Sequence, residues 1–314
     1  MRKLKHRHWP GSAAVLIGAI AASAMALATP AAAKTSRCLV VNNALNASYT
    51  SLQAAQDAAS AADTLWVRGT CVGTTTVRKD LTITGQQPSG YTPPTLDGAG
   101  QGSVLTIDPG VTAAVDTLTI SHGKTSDIGG GIFYRGTVTV NKSTVSDNTA
   151  NLGGGVGGDG TLTVNDSTVS GNTGDLGVGI FNLGTATVNG SSRIANNTSD
   201  GDAGGINNYG GGATLTLNDS STVTGNTADQ EGGGIRNDEG TVTLNDSSAI
   251  TGNTAGDDGG GIWNGGAVTL NDSSAITSNT AGNVGGGVYN APGYGTLALA
   301  GGSVSGNTPD DIYP

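Results

Sequence analysis

The feature that most constrains this chain is an internal repeat. A Gly-rich corner ending in Ile or Val recurs at Ile132, Val156, Ile180, Ile206, Ile235, Ile262 and Val288, at intervals of 24, 24, 26, 29, 27 and 26 residues. Short alternating runs follow the corners: TVTV (Thr137 to Val140), TLTV (Thr161 to Val164), TATV (Thr185 to Val188), TLTL (Thr214 to Leu217), TVTL (Thr241 to Leu244) and AVTL (Ala267 to Leu270). Period-2 alternation turns one set of side chains inward and the other outward, as in a half-buried strand. Later in each repeat an aliphatic residue stands three positions before an Asn: Val145/Asn148, Val169/Asn172, Ile194/Asn197, Val223/Asn226, Ile250/Asn253, Ile276/Asn279 and Val304/Asn307. Such a unit has room for three short β segments and three corners, and none for a crossover helix. Alone it cannot cover its apolar side. Stacked, each strand pairs with its equivalent about 4.8 Å above and below. The expected fold is all-β, a right-handed single-stranded parallel β-helix.

Composition closes the alternatives. Gly numbers 54 of 314 residues, but without the three-residue period and Pro content of collagen, since Pro is only 9. Charged residues are only 12%, and regularly spaced aliphatics are the wrong pattern for a disordered chain. Aromatics, at 4%, are too few to fill an ordinary globular core.

Asn recurs in three columns. One follows the corner (Asn182, Asn208, Asn237, Asn264, Asn290), one follows the alternating strand (Asn141, Asn165, Asn189, Asn218, Asn245, Asn271), and the third is the [VI]-x-x-N column above. Stacked amides can donate and accept along a column, and a buried amide without a partner costs about 1–3 kcal/mol. Continuous ladders are therefore predicted. The periodic placement also favours structure over glycosylation for the N-x-S/T sequences they form.

The chain ends read differently. Residues 1–33 carry a basic start (Arg2, Lys3, Lys5, Arg7), an apolar stretch from Ala13 to Leu27 and a small-residue site at Ala31-Ala32-Ala33, the pattern of a secretory signal peptide. Cleavage after Ala33 leaves ten basic residues against 24 acidic, a net charge of −14. That argues against nucleic acid and anionic membrane as partners, and no later segment is apolar enough to span a bilayer. The mature domain is expected over 34–314, with an N-terminal cap at 34–79 and coils at 80–314. In the cap, Ser51 opens an Ala-rich amphipathic helix running to about Ser60, and a strand follows from Thr64 to Arg68. Cys38 and Cys71 are an even pair in an exported chain and predict one disulfide. LTITG, SVLTI and DTLTI between residues 80 and 120 read as irregular early coils, and NTPDDIYP as the closure of the last one.

The G-G-G-[IV] corner with [VI]-x-x-N about 25 residues apart resembles the repeats of polymorphic outer-membrane proteins, with Val or Ile where those carry Phe. The stretch from Ser51 to Gly85 resembles the N-terminal segment of pectin-lyase-like right-handed β-helix proteins. Together the resemblance covers Cys38 to Pro314. It implies the fold, which hosts lyases, hydrolases, adhesins and passenger domains alike. Hydrolases of the class carry N-T-D, D-D, G-H-G and R-I-K motifs. Here Asp257-Asp258 and Asp310-Asp311 stand without the others, and the mature chain has one His, His122. Lyases need an Arg or Lys base, and only Arg135 and Arg236 fall near the corner face.

Two columns are candidates for function. Acids precede the corners at Asp127, Asp175, Asp200, Asp202, Asp229, Glu231, Asp257 and Asp258. Oxygen ligands on flexible corners suit Ca2+; the alternative is a solvated acidic edge. One residue past the corner, hence outward, stand Phe133, Gly157, Phe181, Asn207, Arg236, Trp263 and Tyr289, with Tyr134, Tyr209 and Tyr294 nearby. An exposed aromatic strip can stack on sugar rings or contact a protein, or its members can stabilise one another along the sheet. The expected function is a secreted, non-catalytic β-helix binding extracellular polysaccharide or a cell-surface protein, or serving as a structural component. The alternative is a polysaccharide lyase or glycoside hydrolase, which requires a cluster of Asp, Arg or His interrupting the repeat on one face.

Overall fold

A computed structural model describes residues 36–314; the expected signal peptide at 1–33 lies outside them. The alternating runs form strands, and these strands stack in parallel and in register. Val138 lies over Leu162, Leu162 over Ala186, Ala186 over Leu215 and Leu215 over Val242. The result is a right-handed parallel β-solenoid of about nine turns. Its first sheet has 12 strands, its second and third have ten each. The first rung is Asp63–Arg68, Thr70–Val72 and Thr75–Val77, ahead of residue 80. The three early runs are not successive coils: Leu81–Gly85, Leu105–Ile107 and Thr119–Ser121 belong to the first, third and second sheets.

Three segments per coil are not the whole of it. A fourth, six-stranded sheet runs through Thr149–Leu152, Thr173–Leu176, Thr198–Asp202, Thr227–Ala228, Thr254–Ala255 and Thr280–Ala281. These segments immediately follow the [VI]-x-x-N residue. They are too short and too polar to show a period of their own, so their pairing is set by the coils that carry them.

The core is a single apolar column. A typical coil contributes Val138, Val140, Val145 and Val156, all fully buried. Each such side chain contributes about 1.5–3 kcal/mol when removed from water. The helix spans Leu52–Ala58, capped at its start by Ser51 Oγ accepting from Ala54 N (3.2 Å), and it places Leu52 and Ala55 in this column. It ends two residues short of Ser60 because Ala59 turns to an extended conformation. Beside it an antiparallel pair, Leu39–Asn42 and Ala47–Tyr49, borders the first parallel strand.

Cys38 and Cys71 form the expected disulfide, 33 residues apart. Replacing both by Ser is expected to cost about 3–4 kcal/mol on the chain-entropy account. Urea unfolding of the double variant against the oxidised parent measures it, and an unchanged midpoint would exclude a stabilising bridge. No helix among the described residues is long and apolar enough to cross a membrane.

All three Asn columns are ladders. In the [VI]-x-x-N column each Nδ2 donates to the Oδ1 one coil on, at 2.9–3.1 Å, from Asn148 to Asn307. Asp311 closes that ladder by accepting from Asn307 N and Nδ2, both 2.9 Å. The corner column runs the same way from Asn182 to Asn290. The column after the alternating strand donates backwards, from Asn271 to Asn141, at 2.8 Å throughout. Tyr134 heads the corner ladder. It is fully buried, over Gly158, and its hydroxyl donates to Asn182 Oδ1 (3.4 Å). Burial holds that hydroxyl protonated, so Tyr134 is a core residue and not part of an exposed strip.

Candidate functional site

The column one past the corner is aligned as the repeat demands: Phe133, Gly157, Phe181, Asn207, Arg236, Trp263, Tyr289, and then Tyr313. Its exposure is uneven. Phe181 is 5% exposed and Asn207 1%. Corner residues of neighbouring coils lie against this stretch, Ile128 beside Gly157 and Gly177 beside Asn207. Phe181 therefore presents no face to a ligand. It packs against Tyr209, centroids 6.1 Å apart, and props that ring outward. Phe133 stands apart, with Arg135 over its ring at 5.7 Å.

From Arg236 onward the column opens. The guanidinium lies 4.7 Å from the Trp263 ring centroid. Trp263 stacks with Tyr289 (6.2 Å), and Tyr289 with Tyr313 (5.6 Å, planes 8° apart). Ring faces within this ladder are largely given to one another, so the strip offers edges more than flat platforms. The concave surface is beside it. Tyr209, Arg236, Asp238, Glu239, Trp263 and Tyr294 line a groove of about 420 Å³, within the range of small-ligand sites. Tyr209 and Tyr294 are 51% and 76% exposed.

Arg236 is the electrostatic centre. Its Nη1 pairs with Asp202 and, at 3.4 Å, with Glu231; its Nε donates to Asp238 at 3.0 Å. Burial, only partly offset by the guanidinium, raises the Glu231 and Asp238 carboxyls from their ordinary values. Burial also raises Tyr289, helped by the Asp258 and Glu231 charges.

The acids of the corner column have two kinds of surroundings. Asp127, Asp175, Asp200, Asp229 and Asp257 point to solvent along the edge. Asp202 and Glu231 turn to Arg236, and Asp258 Oδ1 accepts from Val284 N (3.3 Å). Among the described residues no three His, Cys, Asp or Glu side chains converge to hold a metal ion. The register slips between Gly174 and Leu176, while Asp202, Glu231 and Asp258 follow one another in successive coils, Glu231 N donating to Asp202 Oδ1 (3.1 Å). His122, at φ 56° on a corner, pairs with Asp97 (3.1 Å). Asp310 Oδ1 accepts from Gly285 N (2.7 Å).

Sequence reasoning brought Arg236, Trp263 and Tyr289 together and missed Asp238 and Glu239. Two signals pointed to them. The repeat from Ile206 to Ile235 is the longest, at 29 residues, and Asn237-Asp238-Glu239-Gly240 puts two consecutive acids where other coils have Arg135-Gly136, Asp159-Gly160, Leu183-Gly184 or Gly265-Gly266. No family model, curated protein or solved structure matches this chain.

Proposed function

We propose that this is a secreted, non-catalytic β-helix protein that binds an extracellular glycan in the groove between Tyr209, Trp263 and Tyr294. The motif resemblance to pectin-lyase-like proteins with polymorphic outer-membrane-type repeats is consistent with that setting. The observation that carries the reading is the pairing, in one groove, of exposed aromatics with a fixed Arg236–Asp238 hydrogen bond. Aromatic rings suit the apolar faces of a sugar, and an oriented guanidinium and carboxylate suit its hydroxyls. Asp238 and Glu239 at the rim, on a mature chain of net charge −14, disfavour uronates. The ligand class is therefore a neutral or amino-bearing glycan.

A second reading has one observation in its favour. Asp202, Glu231, Asp238 and Arg236 are a cluster of carboxylates and Arg that interrupts the repeat, with two carboxyls raised, as glycoside hydrolysis would use. One panel separates the two. The full chain is incubated with neutral, amino-bearing and acidic polysaccharides, and retention, reducing ends and unsaturated uronates are measured. Retention without products supports binding; released reducing ends support hydrolysis. Trp263→Ala and Tyr294→Ala are each expected to weaken retention about tenfold, roughly 1.4 kcal/mol. Unchanged retention in both would remove the groove from consideration.

A further inference from the structure

The first sheet has an outer face unlike the rest of the molecule. Thr137, Thr161, Thr185, Thr214 and Thr241 stand in one rank, and Thr139, Thr163, Thr187, Thr216, Thr243 and Thr269 in a second, each over its equivalent. The residues between them point into the core. The Asn141 to Asn271 ladder forms a third rank. Ranks are two residues apart, about 6.7 Å, and coils about 4.8 Å apart. The face is thus a two-dimensional lattice of hydroxyls and methyls.

Three properties make it more than a solvated surface. It carries no charge: from Thr137 to Ala300 every outward position of these strands is Thr, Ala or Asn, in a chain with 24 acidic residues. The acids Asp166, Asp219, Asp246 and Asp272 begin one residue past the Asn rank. Its hydroxyls are unspent: among the described residues only Thr214 donates to Thr185 (3.3 Å), leaving the other nine for water. And it is rigid, because β-branched Thr has few rotamers and the Asn ladder ties each coil to the next. The adjoining second sheet lacks this order; Arg193 and Ala195 break its Thr and Ser ranks.

We propose that this face binds the surface of an ice crystal. Both lattice spacings lie close to oxygen repeats on the surface planes of hexagonal ice. Ordered water held by the Thr hydroxyls and caged around their methyls would then merge with the crystal, at small entropic cost because the array is already fixed. A crystalline glycan would call for aromatics, and this face has none. A protein partner would call for larger apolar anchors. The face is separate from the aromatic groove, so the two proposals fail independently.

The test is ice-recrystallisation inhibition and thermal hysteresis by the purified full chain, with serum albumin as the non-specific control. The parent is expected to arrest grain growth at concentrations where albumin does not. Thr163→Tyr and Thr187→Tyr each raise the concentration needed by about an order of magnitude at unchanged Tm, since one bulky ring lifts the lattice off a flat surface. Thr216→Tyr repeats the test on another coil should either lower Tm. Arg193→Tyr on the adjoining face and Trp263→Ala in the groove leave the activity intact. Absence of inhibition by the parent, full activity in the Thr variants, or equal loss in Arg193→Tyr would each overturn the proposal.

Discussion

Asn226→Ala is expected to lower the unfolding free energy by about 3 kcal/mol. Asn226 Oδ1 accepts from both Asn197 N (3.0 Å) and Asn197 Nδ2 (2.9 Å), and its own Nδ2 donates to Ile194 O (2.9 Å) and Asn253 Oδ1 (3.0 Å). All of this is buried. The substitution leaves the Asn197 backbone N–H without a partner in a place water does not reach. A buried orphan donor costs about 1–3 kcal/mol, and each further lost bond about 0.5–1.5. Asn218→Ala is the comparison. That residue also bonds its neighbours at 2.8 Å on both sides, but it is half-buried, so water replaces what is lost. Its expected cost is about 1 kcal/mol. Urea unfolding followed by far-UV circular dichroism reads both. Equal costs would mean the interior ladder is no more than decoration.

Gly205→Ala is expected to destabilise by a comparable or larger amount, for a steric reason. A Cβ on Gly205 would sit 2.3 Å from Gly234 O, 2.9 Å from a Val223 methyl and 3.0 Å from Asn226 Nδ2. The carbonyl belongs to the next coil and cannot move without lengthening the coil spacing. Overpacking against side chains costs about 1–3 kcal/mol, and backbone contact sits at or above the top of that range. Gly212→Ala is the internal control. Its Cβ would meet nothing within 4 Å and its φ is not left-handed, so the change is expected to be neutral or to stabilise by about 0.4–1 kcal/mol. Thermal unfolding of the pair decides it. A Gly205→Ala Tm matching that of Gly212→Ala would show that the stacked corners tolerate a methyl.

The two glycines also show why the corner motif reads so clearly. Gly131, Gly155, Gly179, Gly205, Gly234, Gly261 and Gly287 each bring a would-be Cβ to 2.3–2.7 Å of a carbonyl oxygen in the following coil. Close stacking forbids any side chain there, and so the coil spacing is written into the sequence at every turn. The inward aliphatics and the Asn columns are legible for the same kind of reason. A position that meets its own equivalent above and below is under the same demand each time.

What the sequence by itself determined is the part of the protein that repeats: three of the strands in each coil, which face of each is buried, the three amide ladders and the disulfide at the capped end. Only the tertiary structure decided the departures. Position past the corner placed Phe181 outward, yet it is buried in the folded chain, stacked against Tyr209 of the next coil. Column spacing aligned the acids, and one arginine drew Asp202, Glu231 and Asp238 into a single network. The fourth sheet, with two to five residues per strand, has too few side chains to announce itself. A repeat encodes whatever each coil must share with the next. A groove or an ion network depends on how unequal insertions fold over a common frame, and that is settled by packing in three dimensions.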